Sequence, residues 1–192
     1  MSTNPCGEIP LCPYDSCRLL AINLYSYVVN PFKPDAYFDF DLFKKHVALA
    51  QRIMDDIIDL ELEKIERIMA KIDSDPENED VKHTESVLWQ KIYKKSGQGR
   101  RTGVGITAEG DMLAALGLRY GTEEATEFAE KVHQTVALSA YRSSVEMAKE
   151  RGAFEVYDSE REKNNPFINR LREADPELYE EMKKYGRRNI AL

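Results

Sequence analysis

Apolar positions along the chain change period several times, and each change predicts a boundary between elements. From Cys17 to Val29, CRLLAINLYSYVV is rich in β-branched and aromatic residues. It reads as a buried strand with Ile22, Leu24 and Val28 on one face. Pro31 and Pro34 end it. Beyond Asp39 the spacing shifts to three and four: Phe40, Phe43, Val47, Ala50, Met54, Ile57, Ile58, Leu62, Ile65, Met69 and Ile72. That spacing predicts a long amphipathic helix over 39–72, capped by Asp39 or Asp41 and stopped at Asp73-Ser74-Asp75-Pro76. A solvated loop over 73–83 and a shorter helix over 84–95, anchored by Trp89, follow.

Residues 96–107, SGQGRRTGVGIT, are punctuated by glycine and lead into an apolar run at 104–106. They read as a turn feeding a strand, with Lys91, Lys94, Lys95, Arg100 and Arg101 as a solvated face. A phosphate cradle is the lesser reading, because neither GxxxxGK[ST] nor GxGxxG after a strand is matched. Asp111 to Leu116 reads as a helix closed by Gly117. Thr122 with Glu123 and Glu124 opens another, running through Phe128, Val132, Val136, Ala140, Val145 and Ala148 to Gly152. Residues 153–157 read as extended, and 158–186 as a polar loop with one or two helices, one opening at Asp175-Pro176-Glu177. The final Asn189-Ile190-Ala191-Leu192 reads as the beginning of a strand.

Composition changes this picture only by exclusion. The chain has 192 residues, 42% apolar and 32% charged, with a formal net charge of -7. Such a chain can bury a core, and its acidic balance argues against nucleic acid and membrane surfaces as partners. No run approaches the roughly 18 apolar residues of a spanning helix, and no secretory leader precedes the first motif, so a cytoplasmic location is expected. By pattern alone the fold class is α/β, helix-rich and incomplete. Chemistry sits almost at residue 1 and the last residues are apolar, which suggests one incomplete segment (1–192) of a larger fold.

All three cysteines, Cys6, Cys12 and Cys17, fall in the first 17 residues, among three prolines and a glycine. This stretch cannot be helical and reads as a shaped loop. Three thiols at spacings x5 and x4 make a poor zinc site, so no metal is expected. Any one buried cysteine is by default a small apolar filler. Asn4-Pro5-Cys6-Gly7-Glu8, however, alternates amide, thiol and carboxylate. In an extended loop alternate residues share a face, so the three groups would converge, with Gly7 allowing close approach of a substrate.

That pentapeptide, with Ser16-Cys17 and Ala21-Ile22-Asn23-Leu24, resembles the active-site segment of ribonucleotide reductases, most closely the adenosylcobalamin-dependent class. Arg101-Thr102-Gly103-Val104-Gly105-Ile106-Thr107, Asp111-Met112-Leu113, Leu116-Gly117 and Tyr120-Gly121-Thr122-Glu123-Glu124-Ala125 resemble the segment that follows in that family. Arg187-Arg188-Asn189-Ile190 resembles the run before its phosphate-binding loop. The resemblance implies a partial segment of a ten-stranded α/β barrel, with 1–17 as the active-site loop and 18–192 as barrel strands and helices. It implies ribonucleotide reduction by thiyl-radical chemistry. Cys6 would carry the radical that removes the 3′ hydrogen, and Glu8 would take the 3′-hydroxyl proton. Asn4 would orient the sugar. Cys17 would be one of two cysteines that supply electrons and end as a disulfide.

The same resemblance implies adenosylcobalamin as cofactor, held mostly by residues outside this chain. Implied partners are a ribonucleoside di- or triphosphate, the remainder of the reductase chain and a thioredoxin-like reductant. Cys12 has no counterpart in the resemblance and reads as a bystander. Alternatives are a docking part of a split reductase, a non-catalytic binding or regulatory module, or a thiol-redox protein using Cys12 and Cys17. The last lacks a C-x-x-C motif. Unpaired strand edges and apolar helix faces predict self-association.

Overall fold

A computed structural model describes residues 2–4, 7 and 9–192 of the chain. Two short strands, β1 (Ser2–Thr3) and β2 (Pro10–Leu11), pair antiparallel and tie down the loop expected over 1–17. Next come β3 (Arg18–Asn23), β4 (Val28–Val29) and β5 (Tyr37–Phe38). The strand expected over 17–29 is interrupted after Asn23. The Asn23 side chain accepts from Tyr25 N and opens a 3-10 turn, Leu24–Tyr27, before β4 pairs antiparallel with β5. A local amide cap here overrides strand propensity.

Helix α1 (Phe40–Ser74) is the spine, 35 residues and about 50 Å long. Asp39 caps it, accepting from Leu42 N at 2.9 Å. Its stripe of Phe43, Val47, Ala50, Met54 and Ile58 is buried. Helix α2 (Glu79–Gly99) begins earlier and ends later than its apolar spacing predicts. Asn78 caps it, and Gly97 and Gly99 lie inside its last turn instead of forming a turn of their own. The helix stops where Arg100 adopts a left-handed conformation, φ 47°.

Strand β6 (Thr102–Thr107) then returns to pair with β3, in parallel, from Arg18↔Thr102 to Asn23↔Thr107. Parallel strands need a long crossover, and here α1 and α2 supply it. The short α3 (Glu109–Ala115) leads to α4 (Glu123–Arg151), which lies along α1. Thr122 caps α4 as expected. Residues 153–157 form a turn and not an extended segment. The stretch 158–186 holds three helices, one more than expected: α5 (Ser159–Glu162), α6 (Pro166–Ala174) and α7 (Pro176–Tyr185). Residues 189–192 form no strand. Their backbone bonds Gly99 O from Ile190 N and Thr102 N through Ala191 O.

The main core gathers Ile22, Leu24 and Val104 from the strand region, Phe43, Val47 and Met54 from α1, Met112 and Leu113 from α3, and Val132 from α4. Tyr27 and Phe43 meet edge to face at 4.8 Å between ring centres. A second cluster, Val145, Ile168, Leu171, Leu178 and Met182, fastens α6 and α7 to α4. No helix among the described residues is long and apolar enough to cross a membrane.

Candidate active site

Strand alternation divides β3 and its flank into two faces. Arg18, Leu20 and Ile22 turn inward, towards the core and α1, while Leu19 and Ala21 are exposed. Cys17, one residue before β3, continues the outer face. Across the parallel register that face carries Gly103 and Gly105 of β6. The result is an open hollow of about 480 Å³ over the strand pair, lined by Ile9, Leu19, Ala21, Gly103, Gly105 and Leu192 among others. Small residues make its floor. A methyl group on Gly103 would come within 3.2 Å of Cys17 Sγ and 2.7 Å of Leu19 Cδ2, so glycine there leaves room for the sulfur. A methyl on Gly105 would meet nothing closer than 3.8 Å.

Around the Cys17 thiol the structure brings together Asn4, Asp15, Arg18 and Arg101. Asn4 is buried and lies near the thiol, whose Sγ donates to Arg18 O at 3.7 Å. Burial pushes the Cys17 thiol up from its ordinary value; the Asn4 amide and the positive charges of Arg101 and Arg18 act against that, while Asp15 adds to it. Asp15 is fixed at both oxygens: Oδ1 accepts from Ser16 N at 2.9 Å and Oδ2 from Arg101 Nε at 2.9 Å. Tyr14, left-handed at φ 65°, makes the turn that delivers Asp15. Arg18 faces the other way, with Nη2 on Ser96 Oγ at 2.8 Å and its guanidinium paired to Glu61 of α1.

Of the four residues expected from sequence, Asn4 and Cys17 are thus brought together. Cys6 and Glu8 lie outside the described residues. Gly7 has φ +76°, a conformation that favours glycine. Asn4 N donates to Ile9 O at 3.1 Å and Gly7 N to Asn4 O at 2.9 Å. The described ends of this segment, Asn4 and Ile9, are therefore held together by a backbone hydrogen bond. Cys12 is exposed, and Cys12 and Cys17 are both free thiols.

Sequence reasoning missed the partners of Cys17. Arg100 and Arg101, expected on a solvated basic face, are both buried in ion pairs. Asp15, a carboxylate two residues before Cys17 in a proline-rich loop, was the available signal. A second missed feature is a buried polar network behind the strands. Arg100 bonds Asp55 Oδ1 and Asp59 Oδ1, each at 2.7 Å. Asn189 Nδ2 donates to Asp55 Oδ1 at 2.9 Å and to Arg100 O at 3.0 Å, and Asn189 Oδ1 accepts from Gln51 Nε2 and Ser144 Oγ. Gln51 Nε2 also reaches Thr102 Oγ1 at 3.0 Å. Burial works against ionisation of Asp55, but hydrogen bonding and charge from Arg100, with Arg188 and Asn189, hold its carboxyl below the usual range. Asp55, Asp56 and Asp59 are close enough together to suggest a cation site. Arginines 100, 151 and 188 already serve them.

Comparison with known proteins agrees with this architecture. The family model "Ribonucleotide reductase, barrel domain" matches residues 1–192. The vitamin B12-dependent ribonucleoside-diphosphate reductase of Thermoplasma acidophilum is 36% identical over 163 residues, 84% of this chain and 18% of that protein. Its Mycobacterium tuberculosis counterpart is 31% identical over 160 residues, 83% of this chain and 19% of that one. The ribonucleoside-diphosphate reductase subunit alpha of Chlamydia pneumoniae is 28% identical over 159 residues, 81% of this chain and 12% of that protein. The chain therefore spans less than a fifth of the length of these relatives. With a helix-rich α/β architecture, a parallel strand pair and a family match along its whole length, the chain belongs to the ribonucleotide reductase family, as part of its barrel domain.

Proposed function

We propose that this chain is the segment of a cobalamin-dependent ribonucleotide reductase that bears the radical-cysteine loop, and that it acts with the remainder of the reductase. The observation that carries this reading is the meeting of Asn4 with the Cys17 thiol, beside a hollow floored by Ala21, Gly103 and Gly105. A sugar needs such a small-residue floor to come near sulfur, and a buried amide to hold its hydroxyls. The loop that leads to Cys17 also carries Cys6 and Glu8.

In this reading the Cys6 thiyl radical takes the 3′ hydrogen of the ribose. Glu8 takes the 3′-hydroxyl proton, which assists departure of the 2′-hydroxyl. Asn4 orients the sugar. Cys17 and a second cysteine elsewhere in the reductase give up two electrons and two protons and become a disulfide, which a thioredoxin-like dithiol reduces. The substrate is a ribonucleoside di- or triphosphate.

Adenosylcobalamin supplies the radical when bound. The residues described do not fit it: the hollow beside Cys17 is lined by apolar residues and offers no polar side chain to hold the amide groups of a corrin. The cofactor is therefore assigned to other parts of the reductase.

The test is reassembly. The chain, the remainder of the reductase, adenosylcobalamin and a dithiol are expected to give deoxynucleotide, and Cys6→Ser and Glu8→Gln to reduce the yield by at least about a hundredfold. Deoxynucleotide formation that survives Cys6→Ser removes the radical role from this loop.

A further inference from the structure

Cys17 and Arg101 immediately precede the paired strands β3 and β6. Continuing the β3–β6 register by one residue sets Cys17 beside Arg101, and strands in register lie about 4.8 Å apart. Thr102 turns to Gln51 on the inner side, so Arg101 and Gly103 share the outer side with the thiol. The Arg101 guanidinium is not free to wander: Asp15 grips Nε at 2.9 Å, and both side chains are more than nine-tenths buried. The other nearby cation, Arg18, has its charge taken by Glu61 of α1.

We propose that the Asp15–Arg101 pair is a positioning device for Cys17, holding one guanidinium beside the sulfur so that it can leave as a thiolate when its disulfide is reduced. This rests on the reading of Cys17 as a redox cysteine. In that step a thiolate of the dithiol reductant attacks the sulfur of the partner cysteine. A new S–S bond forms there, the old bond to Cys17 breaks, and Cys17 keeps the electron pair. A thiolate that is better stabilised leaves faster. Burial alone opposes that charge, and the sulfur, half-buried, packs against Gly103. Arg101 offsets it from the β6 side, and Asp15 both holds Arg101 and limits its effect. Among the described residues, the charged groups near the thiol are Asp15 from its own loop and Arg101, with Arg18 turned to the inner side and held by Glu61.

The experiment is alkylation of the reduced protein with iodoacetamide from pH 6 to 10, followed cysteine by cysteine by mass spectrometry. Arg101→Gln is expected to move the Cys17 midpoint to higher pH and slow alkylation at pH 7 several-fold. Arg101→Lys should restore most of that rate. Structural loosening has the opposite sign, because a thiol released from burial titrates lower. An Arg101→Gln midpoint that stays or falls therefore overturns the proposal. Should that variant not fold, Asp15→Asn decides. The midpoint is then expected to fall while the limiting rate at high pH, which reports access to the sulfur, is unchanged. An unmoved midpoint, or a limiting rate that rises with the shift, counts against it. Alkylation is read without turnover, so the underlying redox reading fails separately, by turnover persisting in reassembled Cys17→Ser.

Discussion

Two residues decide how much chemistry the rest of the chain can support, and both are held by unlike neighbours. Asp55 is fully buried, with three arginines and Asn189 converging on it. Removing one side of a buried pair leaves the other uncompensated, so Asp55→Ala is expected to cost about 3–5 kcal/mol in urea unfolding at pH 7. Because its folded pKa lies below the unfolded one, its contribution is complete above about pH 4 and drains away as pH falls through the folded value. Urea midpoints measured from pH 5 down to pH 2 should therefore fall less steeply in Asp55→Ala than in the native chain. Gly103 is the second. Gly103→Ala presses a methyl against Cys17 Sγ and Leu19, and about 1–3 kcal/mol of strain is expected. Gly105→Ala has room and should change stability by no more than about 0.5 kcal/mol. That methyl raises the floor of the hollow, so KM in the reassembled enzyme is expected to increase with little change in the melting temperature.

Among elements, α1 was the most legible. An apolar repeat of three and four along more than thirty residues admits one reading, and Asp39 closes it with a side-chain cap. Asp39→Ala should lower stability by about 1 kcal/mol, read as a drop in thermal midpoint with the helix content of the folded state kept. The end of α2 was not legible. Gly97 and Gly99 look like turn residues by propensity, yet packing carries the helix through them until Arg100 turns left-handed. What fixes that stop is the Arg100 side chain, drawn to Asp55 and Asp59 some forty residues earlier. No local window contains that attraction. The break of the first strand at Asn23 is the reverse case: the amide cap is local, but propensity scales average over it.

At the scale of the molecule, the parallel pair β3–β6 is the organising feature, and it makes no further strand pairing among the described residues. Leu49, Ile53, Ile57 and Leu60 form an exposed apolar stripe on α1, and Leu19 is exposed on the strands. In the reading proposed here the remainder of the reductase covers both. Without it, the chain is expected to self-associate, and light scattering should show species larger than 22.1 kDa. Ile53→Lys with Leu60→Lys should shift the distribution towards monomer. A monodisperse monomer of the native chain would refute the idea that these surfaces need cover.

The amino-acid order by itself determined the helix-rich α/β character, the long first helix, the helix starts at Asp39, Thr122 and Asp175, and the family, because these depend on periodicity and on short motifs that are read locally. Through the resemblance it also pointed to Asn4 and Cys17, which the fold sets near each other. Only the tertiary structure decided that Arg100 and Arg101 are buried, that Asp55, Asn189 and Ser144 share a network, and that Asp15 and Arg101 flank the thiol. Those pairings join residues 45 to 134 positions apart, and the field at a buried charge is set by whatever the fold brings beside it.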